Sequence, residues 1–222
     1  MTAKGGLQVL LAENIYKKFN EPILKNVTLE AETGEIIGIA GKNGSGKSTL
    51  LSIITGLLPP DSGKIYLEKR LVGYVPQDAA LFDNLTVKDN LRFWAAAHKV
   101  SWKDTDISAD LLKKRVNTLS GGMKKQLSIA LACLHRPQWL VMDEPSAALD
   151  IGFKGSLYQM FQDIRGEGRG IIFSSHQPDE LMWCDRVYIL RDGVFVYADD
   201  PKKLDDLPAM LYGGKFGGLH ND

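Results

Sequence analysis

The sequence predicts an α/β fold with a block of helices inserted into it. Residues 35–40 and 139–142 are apolar runs, typical of strands that are buried on both faces of a sheet. A helical pattern follows each run, so that strands and helices alternate as in α/β proteins. Between them, residues 78–136 show helical periodicity alone, which predicts that helices interrupt the alternating core.

The first half of the chain surrounds the first apolar run with shorter strands. These strands are predicted at residues 7–13, 27–31, 64–68 and 71–75. A glycine-rich loop joins the buried strand to a helix expected from residue 47 to about residue 56. Prolines and a glycine within residues 59–63 supply turn chemistry and end this helix.

The second half begins with the helical block and then returns to alternation. Helices are predicted at residues 87–99, 108–116, 120–134, 153–165 and 177–183. Strands are predicted at residues 139–142, 170–174, 186–190 and 194–198. The last two strands would form a hairpin around Asp192-Gly193. Ser120 is a suitable N-cap for its helix and Pro137 follows its end, while the tail from residue 199 is short and glycine-rich.

Composition limits the partners of the chain. Lys and Arg total 27 and Asp and Glu total 27, so the formal net charge is zero and nothing calls for nucleic acid. Basic runs such as Lys124-Lys125 are expected to be solvated helix faces. Cys133 and Cys184 have apolar neighbours, which indicates buried, reduced thiols of a cytosolic protein. Neither a signal segment nor a membrane-spanning run is expected, so a membrane role would need another chain.

A glycine-rich loop after the first buried strand matches the pattern G-x-x-x-x-G-K-S. Glycines let consecutive backbone N–H groups turn toward phosphate oxygens, and the following helix adds its partial positive charge. The lysine would face the β- and γ-phosphates, and the serine hydroxyl can ligate Mg²⁺. This predicts a nucleoside triphosphate site of a kinase, GTPase or ATPase at Gly41, Lys42, Asn43, Gly44, Ser45, Gly46, Lys47, Ser48 and Thr49.

Two adjacent acids, Asp143 and Glu144, follow the second buried strand. Ligands of open α/β sheets bind at the carboxyl ends of the strands, so both acids are expected beside the phosphate loop. Asp143 is suited to hold Mg²⁺, directly or through water. Glu144 is suited to polarise a water that attacks a phosphate.

A third motif, Leu119-Ser120-Gly121-Gly122-Met123, supplies a second helix start of the phosphate-binding kind. The serine can cap the helix, and the two glycines permit close approach to its N–H groups. The motif closely resembles the signature sequence of ATP-binding cassette (ABC) proteins.

With the loop, the acid pair, Gln77 and His176, the chain from about residue 7 to about residue 201 resembles the nucleotide-binding subunit of an ABC transporter. This resemblance implies a P-loop NTPase core with an antiparallel β subdomain and an inserted α-helical signature subdomain. One ABC ATPase domain would fill residues 1–222, with the core and β subdomain at 7–77 and 137–198, the helical subdomain at 78–136 and the tail at 199–222.

The resemblance also implies a role for each matching residue. The catalytic residues would be Glu144, His176, Lys47 and Gln77. The Mg²⁺ ligands would be Ser48, Gln77 and Asp143. The residues acting on the ATP of another chain would be Ser120, Gly121, Gly122, Met123 and Asp150. Adenine would stack on an aromatic ring, for which Phe19 is the first candidate and Tyr16 its neighbour.

The function implied is ATP hydrolysis that powers an ABC membrane transporter from the cytoplasmic face. Two nucleotide-binding subunits, identical or related, would close on two ATP molecules, and the helical block would pass this motion to integral membrane subunits. The compact helical block and the signature run resemble exporters of drugs, peptides or polysaccharides. An importer subunit, a soluble ABC ATPase of translation or DNA maintenance, and a non-catalytic regulatory module are the alternatives. A single cassette without a long heptad insert disfavours the soluble class.

Overall fold

Strands and helices alternate along most of the chain, and the predicted α/β fold class is confirmed. The computed structural model describes residues 9–67, 71–103, 105, 107–147, 151–203 and 207–212. Its strands are β1 (Val9–Lys18), β2 (Pro22–Glu32), β3 (Ile36–Ala40), β4 (Ser62–Tyr66), β5 (Val72–Val75), β6 (Trp139–Asp143), β7 (Gly170–Ser175), β8 (Arg186–Arg191) and β9 (Val194–Asp199). Its helices are α1 (Lys47–Ile54), α2 (Val87–His98), α3 (Ala109–Leu112), α4 (Gly121–Cys133), α5 (Ile151–Gly166), α6 (Pro178–Leu181) and α7 (Leu207–Tyr212). None of the helices in these ranges is long and apolar enough to cross a membrane.

The centre of the fold is a sheet of six strands in the order β5-β6-β7-β3-β8-β9. Neighbouring strands are parallel except for β8 and β9, which form the predicted hairpin. Helix α1 and the second sheet pack on one face, and α4, α5 and α6 pack on the other. Every residue of β3, β6 and β7 is therefore buried, which explains their apolar sequences.

The second sheet is antiparallel and has three strands in the order β2-β1-β4. Its strands β1 and β2 extend well beyond the predicted residues 7–13 and 27–31. The register shifts between Ala12 and Ile15, where Asn14 has a φ of 54° and donates its N–H to Thr28 Oγ1 at 3.0 Å. This irregularity breaks the alternating pattern on which the sequence prediction relied, although strand pairing continues beyond it.

The inserted helices have an apolar cluster of their own. Its buried members are Val87, Leu91, Val116, Leu119, Leu127 and Leu131. The predicted helix at residues 108–116 is wrong beyond Leu112, because the chain there pairs with residues 85–87. Val87 N–H donates to Lys114 O at 2.9 Å, and Val116 N–H donates to Leu85 O at 3.0 Å. The boundaries of the helical subdomain at residues 78 and 136 stay a prediction.

The tail contains a helix, α7, that the sequence analysis missed. Leu211 is buried in the apolar cluster on the α5 side of the central sheet. The Arg191 guanidinium donates to the Met210 carbonyl oxygen and holds the helix against β8. The glycine-rich composition concealed this contact, and residues 213–222 lie outside the described ranges.

Both cysteines are free thiols. Cys184 is buried under β3, where a Cβ added at Gly38 would lie only 2.7 Å from its Sγ. Cys133 is only partly buried, although full burial was expected. Burial raises the pKa of both thiols, which keeps them protonated and weakly nucleophilic at neutral pH.

We expect Phe161→Ala to lower the free energy of unfolding by about 3–5 kcal/mol, because it leaves a cavity under α5. Phe161 is fully buried, and its ring centroid lies 5.2 Å from that of Phe173 and 5.9 Å from that of Trp183. Urea denaturation measures the change. Tyr158→Ala on the same helix is the control, since Tyr158 is 41% exposed. Equal losses for the two variants would contradict the described packing of α5.

Candidate functional site

Four neighbouring parallel strands end at one edge of the central sheet. The paired residues near these ends are Val75 with Met142, Asp143 with Ser174, and Ala40 with Ser175. This register brings together the segments that follow β5, β6, β7 and β3. Those segments carry Gln77, the acid pair, His176 and the glycine-rich loop. The structure thus places these predicted residues along the edge where ligands of α/β sheets bind.

The loop between β3 and α1 has a backbone conformation that needs glycine. Gly44 has a φ of 77° and Gly46 a φ of 105°, both in the left-handed region. A Cβ at Gly46 would also lie 2.9 Å from Ile23 Cγ2, so β2 packs directly on the loop. No side chain caps the N-terminus of α1. Its first N–H groups are therefore suited to bind an anion such as a phosphate.

Lys47, the first residue of α1, is a buried cation beside the loop and is 5% exposed. Its Nζ donates to Gly41 O at 2.9 Å and to Lys42 O at 3.2 Å, and lies 3.9 Å from Glu144 Oε1. Burial lowers the pKa of Lys47, while Glu144 and Asp143 partly oppose the shift. An arriving phosphate would add negative charge beside this desolvated ammonium and favour its charged form further.

Ser174 positions both acids. Its Oγ donates to Asp143 Oδ1 at 2.5 Å and accepts the backbone N–H of Glu144 at 2.9 Å. Glu144 has a φ of 44°, a sparsely populated conformation for a residue with a side chain. The chain thus turns away from the direction of β6 at Glu144, the second of the two acids.

Glu144 and His176 lie together beside the lysine. His176 Nδ1 is 3.3 Å from Glu144 Oε1, and the Glu144 side chain is only 13% exposed. A carboxylate that is largely shielded from solvent interacts strongly with nearby charges and polarised water, because the local dielectric constant is low. Lys47, Asp143, Glu144 and His176 therefore form one cluster, assembled from three segments that are distant in sequence.

Lys125 is a functional candidate that the sequence analysis missed. It was expected on a solvated helix face, but it is 6% exposed. Its Nζ donates to Gln77 O at 2.8 Å and to Pro76 O at 3.1 Å, which ties α4 to the segment after β5. Burial lowers its pKa, and Asp143 is the first of several acids that oppose this. Its helical spacing from buried Ile129 and Ala132 is the signal that indicates burial.

The third motif forms the N-terminus of α4. Ser120 is the N-cap, and its Oγ accepts the Met123 N–H at 3.2 Å, as predicted. A Cβ added at Gly121 would meet no atom within 4 Å, so open space lies above this helix start. Gly122 follows within the first turn of α4. Asp150, which the sequence assigns to the same surface, lies outside the described residues.

Phe19 and Tyr16 differ in accessibility. Phe19 lies in the turn between β1 and β2 and is 58% exposed, with Lys17 Nζ 5.7 Å from its ring centroid. Tyr16 lies within β1, where it pairs with Ser62 and is partly buried. Since β2 packs on the phosphate loop, the exposed ring of Phe19 is better suited to stack on a nucleobase. The assignment of the adenine site stays a prediction.

The donors at the sheet edge suit Mg²⁺. Ser48, Gln77 and Asp143 offer a hydroxyl, an amide and a carboxylate oxygen. Across the described ranges, no group of three or more His, Cys, Asp or Glu side chains could hold a metal by itself. Mg²⁺ typically uses one or two carboxylates together with water and substrate phosphates. The sparse donor set therefore fits an ion that arrives with a triphosphate.

A phosphate loop, a buried lysine and an acid pair at one sheet edge define the class of P-loop nucleoside triphosphatases. Residues 24–147, more than half of the chain, match the family model described as ABC transporter. The molybdate/tungstate import ATP-binding protein WtpC of Thermococcus kodakarensis is 35% identical over 235 residues, which cover 96% of this chain and 71% of the relative. The linearmycin resistance ATP-binding protein LnrL of Bacillus subtilis is 32% identical over 211 residues, covering 85% and 68%.

A solved structure described as the ATP binding subunit of an ABC transporter has a TM-score of 0.77 and 25% identity, covering 87% of this chain and 90% of that chain. The chain belongs to the ABC transporter family and is an ABC ATPase subunit. ATPases of this family bind ATP and work with the membrane subunits of a transporter.

We expect Ser174→Ala to lower the free energy of unfolding by about 1–3 kcal/mol, because it leaves Asp143 and the Glu144 N–H without a buried partner. Urea denaturation of the purified chain measures the loss. Ser156→Ala is a matched control, since Ser156 is exposed on α5 and donates its hydroxyl within the same helix, to Gly152 O at 3.4 Å. A loss at Ser174 no larger than the loss at Ser156 would contradict the positioning role of Ser174.

Proposed function

We propose that this chain hydrolyses ATP at the described sheet edge and thereby powers a membrane transporter. The observation that carries the proposal is the convergence on Glu144. Its Oε1 lies 3.3 Å from His176 Nδ1 and 3.9 Å from Lys47 Nζ. A carboxylate, an imidazole and a buried cation thus adjoin a loop that is suited to phosphates.

Each group has a role in an in-line attack of water on the γ-phosphate. Lys47 offsets the charge of the β- and γ-phosphates, and Glu144 orients or deprotonates the water. His176 holds the γ-phosphate and that water in position. Ser48, Asp143 and Gln77 would hold Mg²⁺, which neutralises phosphate charge when bound. Preorganised groups of this kind stabilise a transition state without further rearrangement.

A second nucleotide-binding subunit, identical or related, completes each site in this proposal. Residues 120–123 of one subunit would close on ATP held by the loop of the other, with Asp150 at the same interface. The open space above Gly121 supports this arrangement, because the helix start is accessible to a phosphate from outside the chain. ATP that contacts both subunits only in the closed state would shift the equilibrium toward closure, and hydrolysis would reverse it.

A groove between β5, α2 and α4 is the proposed contact for a membrane subunit. Its volume is about 440 Å³. Its lining includes Leu57, Tyr74, Trp94, His98, Leu131 and His135. Leu57 is 67% exposed, and an exposed apolar side chain at the groove suits a docked segment of another protein. Pro76, which also lines the groove, is held by Lys125, so docking would be coupled to Gln77.

The location and direction of transport are finer parts of the proposal. We place the subunit on the cytoplasmic face of a membrane, and the compact helical block favours export of a drug, peptide or polysaccharide. The names of the two relatives divide between linearmycin resistance and molybdate/tungstate import, so an importer is the second candidate. Reconstitution with the membrane subunits, with ATP on one side of the vesicles, discriminates the two directions. Purification without any integral membrane protein would favour a soluble ABC ATPase instead.

We expect Glu144→Gln to lower ATP turnover by about 10²–10⁴-fold, because the amide cannot accept a proton from the attacking water. ATP binding should persist, and the variant should accumulate as an ATP-bound dimer. Phosphate release, calorimetry and size-exclusion chromatography measure the three quantities. Glu167→Gln is the control, since Glu167 is an acid whose side chain is 61% exposed. Turnover at the wild-type rate would remove Glu144 from its role.

We expect Gly121→Asp, introduced into the Glu144→Gln variant, to abolish the ATP-induced dimer through repulsion of phosphate. The affinity of the monomer for ATP should not change, because the loop of the same chain is untouched. Gly155→Asp on α5 is the matched control, since a Cβ there also meets no atom within 4 Å. Weaker ATP binding by the monomeric Gly121 variant would indicate that the motif serves its own chain.

A further inference from the structure

A buried carboxylate that the proposed reaction does not use lies behind the catalytic cluster. Glu180 belongs to α6 and is 1% exposed. Its Oε1 accepts the hydroxyl of Ser146, and its Oε2 accepts the hydroxyl of Ser175 at 2.7 Å. Lys154 Nζ of α5 lies 3.1 Å from Oε1. Three partners from three different segments therefore meet at one carboxylate.

Two of these partners adjoin the proposed catalytic residues. Ser146 follows Glu144 by two positions, and Ser175 directly precedes His176. The Ser175 Oγ also accepts the Gln177 N–H at 3.0 Å, so it fixes the backbone on the far side of the histidine. Glu180 thus connects the loop that carries one proposed catalytic group to the loop that carries the other.

This link begins where the backbone pairing of the sheet ends. The ladder between β6 and β7 has Asp143 and Ser174 as its last pair. Beyond it, side chains must set the relative position of the two loops. Ser174 holds the first residue past the ladder, through the Glu144 N–H. Glu180 then accepts a hydrogen bond from the next hydroxyl of each loop, which is Ser146 after β6 and Ser175 at the end of β7.

The surroundings of Glu180 make its charge tolerable and its position rigid. A buried carboxylate is costly unless a cation and hydrogen bonds compensate it. Lys154 supplies the cation and also contacts the Gln177 side chain and, at 3.3 Å, Asp179. Burial tends to lower the pKa of Lys154, but its bonds to Glu180 and Asp179 outweigh this and raise it. Lys154 therefore stays charged at neutral pH.

We propose that Glu180 is a positioning residue for ATP hydrolysis, whose carboxylate locks the Glu144 loop to the His176 loop. The inference rests on the roles given to Glu144 and His176 in the proposed function. The partners of Glu180 belong neither to the phosphate loop nor to the groups that would hold Mg²⁺. Its loss should therefore affect the rate of hydrolysis and leave ATP binding in place.

The first test compares Glu180→Ala and Glu180→Gln in the 222-residue chain. We expect the alanine variant to lose about 10–100-fold in kcat, as small misplacements of catalytic groups do, with KM for ATP within about twofold. The glutamine variant can still bond both hydroxyls and should recover most of the rate. Asp179→Ala is the matched control, because Asp179 is the neighbouring acid, also pairs with Lys154, and has a side chain that is 66% exposed. A rise in KM without a fall in kcat, or an equal loss in the control, would overturn the proposal.

A double-mutant cycle with His176→Ala separates positioning from a general structural role. If Glu180 acts by fixing the His176 loop against the Glu144 loop, Glu180→Ala should lower kcat by less than about twofold in the His176→Ala background. If the double variant instead loses kcat by the product of the two single-variant factors, the proposal is overturned. Wild-type turnover in both His176→Ala and Glu144→Gln would instead refute the proposed function itself.

A variant that keeps the carboxylate provides the test if Glu180→Ala fails to fold. Ser146→Ala combined with Ser175→Ala removes both hydroxyl links and leaves the pair of Glu180 and Lys154 intact. A fall in kcat at constant KM supports the positioning role. An unchanged kcat in this double variant would overturn it.

Discussion

The parallel register of β5, β6, β7 and β3 is the constraint on which the rest of the site depends. Each strand delivers a different kind of group to the same edge: an amide, two carboxylates, an imidazole and a phosphate loop. A slip of one residue in any strand would turn its side chains to the opposite face of the sheet and separate these groups. The continuous burial of β3, β6 and β7 prevents such a slip, because apolar clusters on both faces would lose their packing. The same strand register is therefore required for the packing of the core and for the geometry of the site.

Two buried lysines at this edge lower the stability of the fold, and one of them favours binding of a triphosphate. Lys47 and Lys125 are almost fully buried, and burial lowers the pKa of each below its ordinary value. The folded chain then binds protons less readily than the unfolded chain, so these lysines disfavour folding at neutral pH, and this cost falls as the pH rises through their folded pKa. A bound triphosphate reverses the balance at Lys47, because its negative charge favours the ammonium. Lys125 is compensated within the chain by the carbonyls of Pro76 and Gln77, which suits a link that must persist whether or not nucleotide is bound.

Local chemistry explains which features could be predicted from the sequence. The phosphate loop and the cap at Ser120 depend on glycine conformations and helix termini, which a short run of residues determines. The contacts of Lys125 and Glu180 depend on segments that meet only after folding, and no local pattern pairs Glu180 with Ser146. The short α3 shows the same limit, since pairing with residues 85–87 overrides the helical pattern of residues 113–116. The motifs of the candidate site could thus be located from the sequence, while the side chains that hold those motifs in position could not.

The accessible N-terminus of α4 at Gly121 suits contact with phosphates that a second copy of the chain holds. Ser120 satisfies one N–H group of this helix, and the first turn remains accessible to an anion. The same chain presents a phosphate loop whose buried lysine needs negative charge. ATP bound at this loop would satisfy the lysine of its own chain and the helix start of a second copy at once, and with a formal net charge of zero the two copies carry no net charge that opposes their approach. Closure would then depend on the γ-phosphate more than on protein contacts, so hydrolysis removes the interaction that holds the closed state together. The catalytic geometry that we assign to Glu180 would then determine how long the closed state lasts.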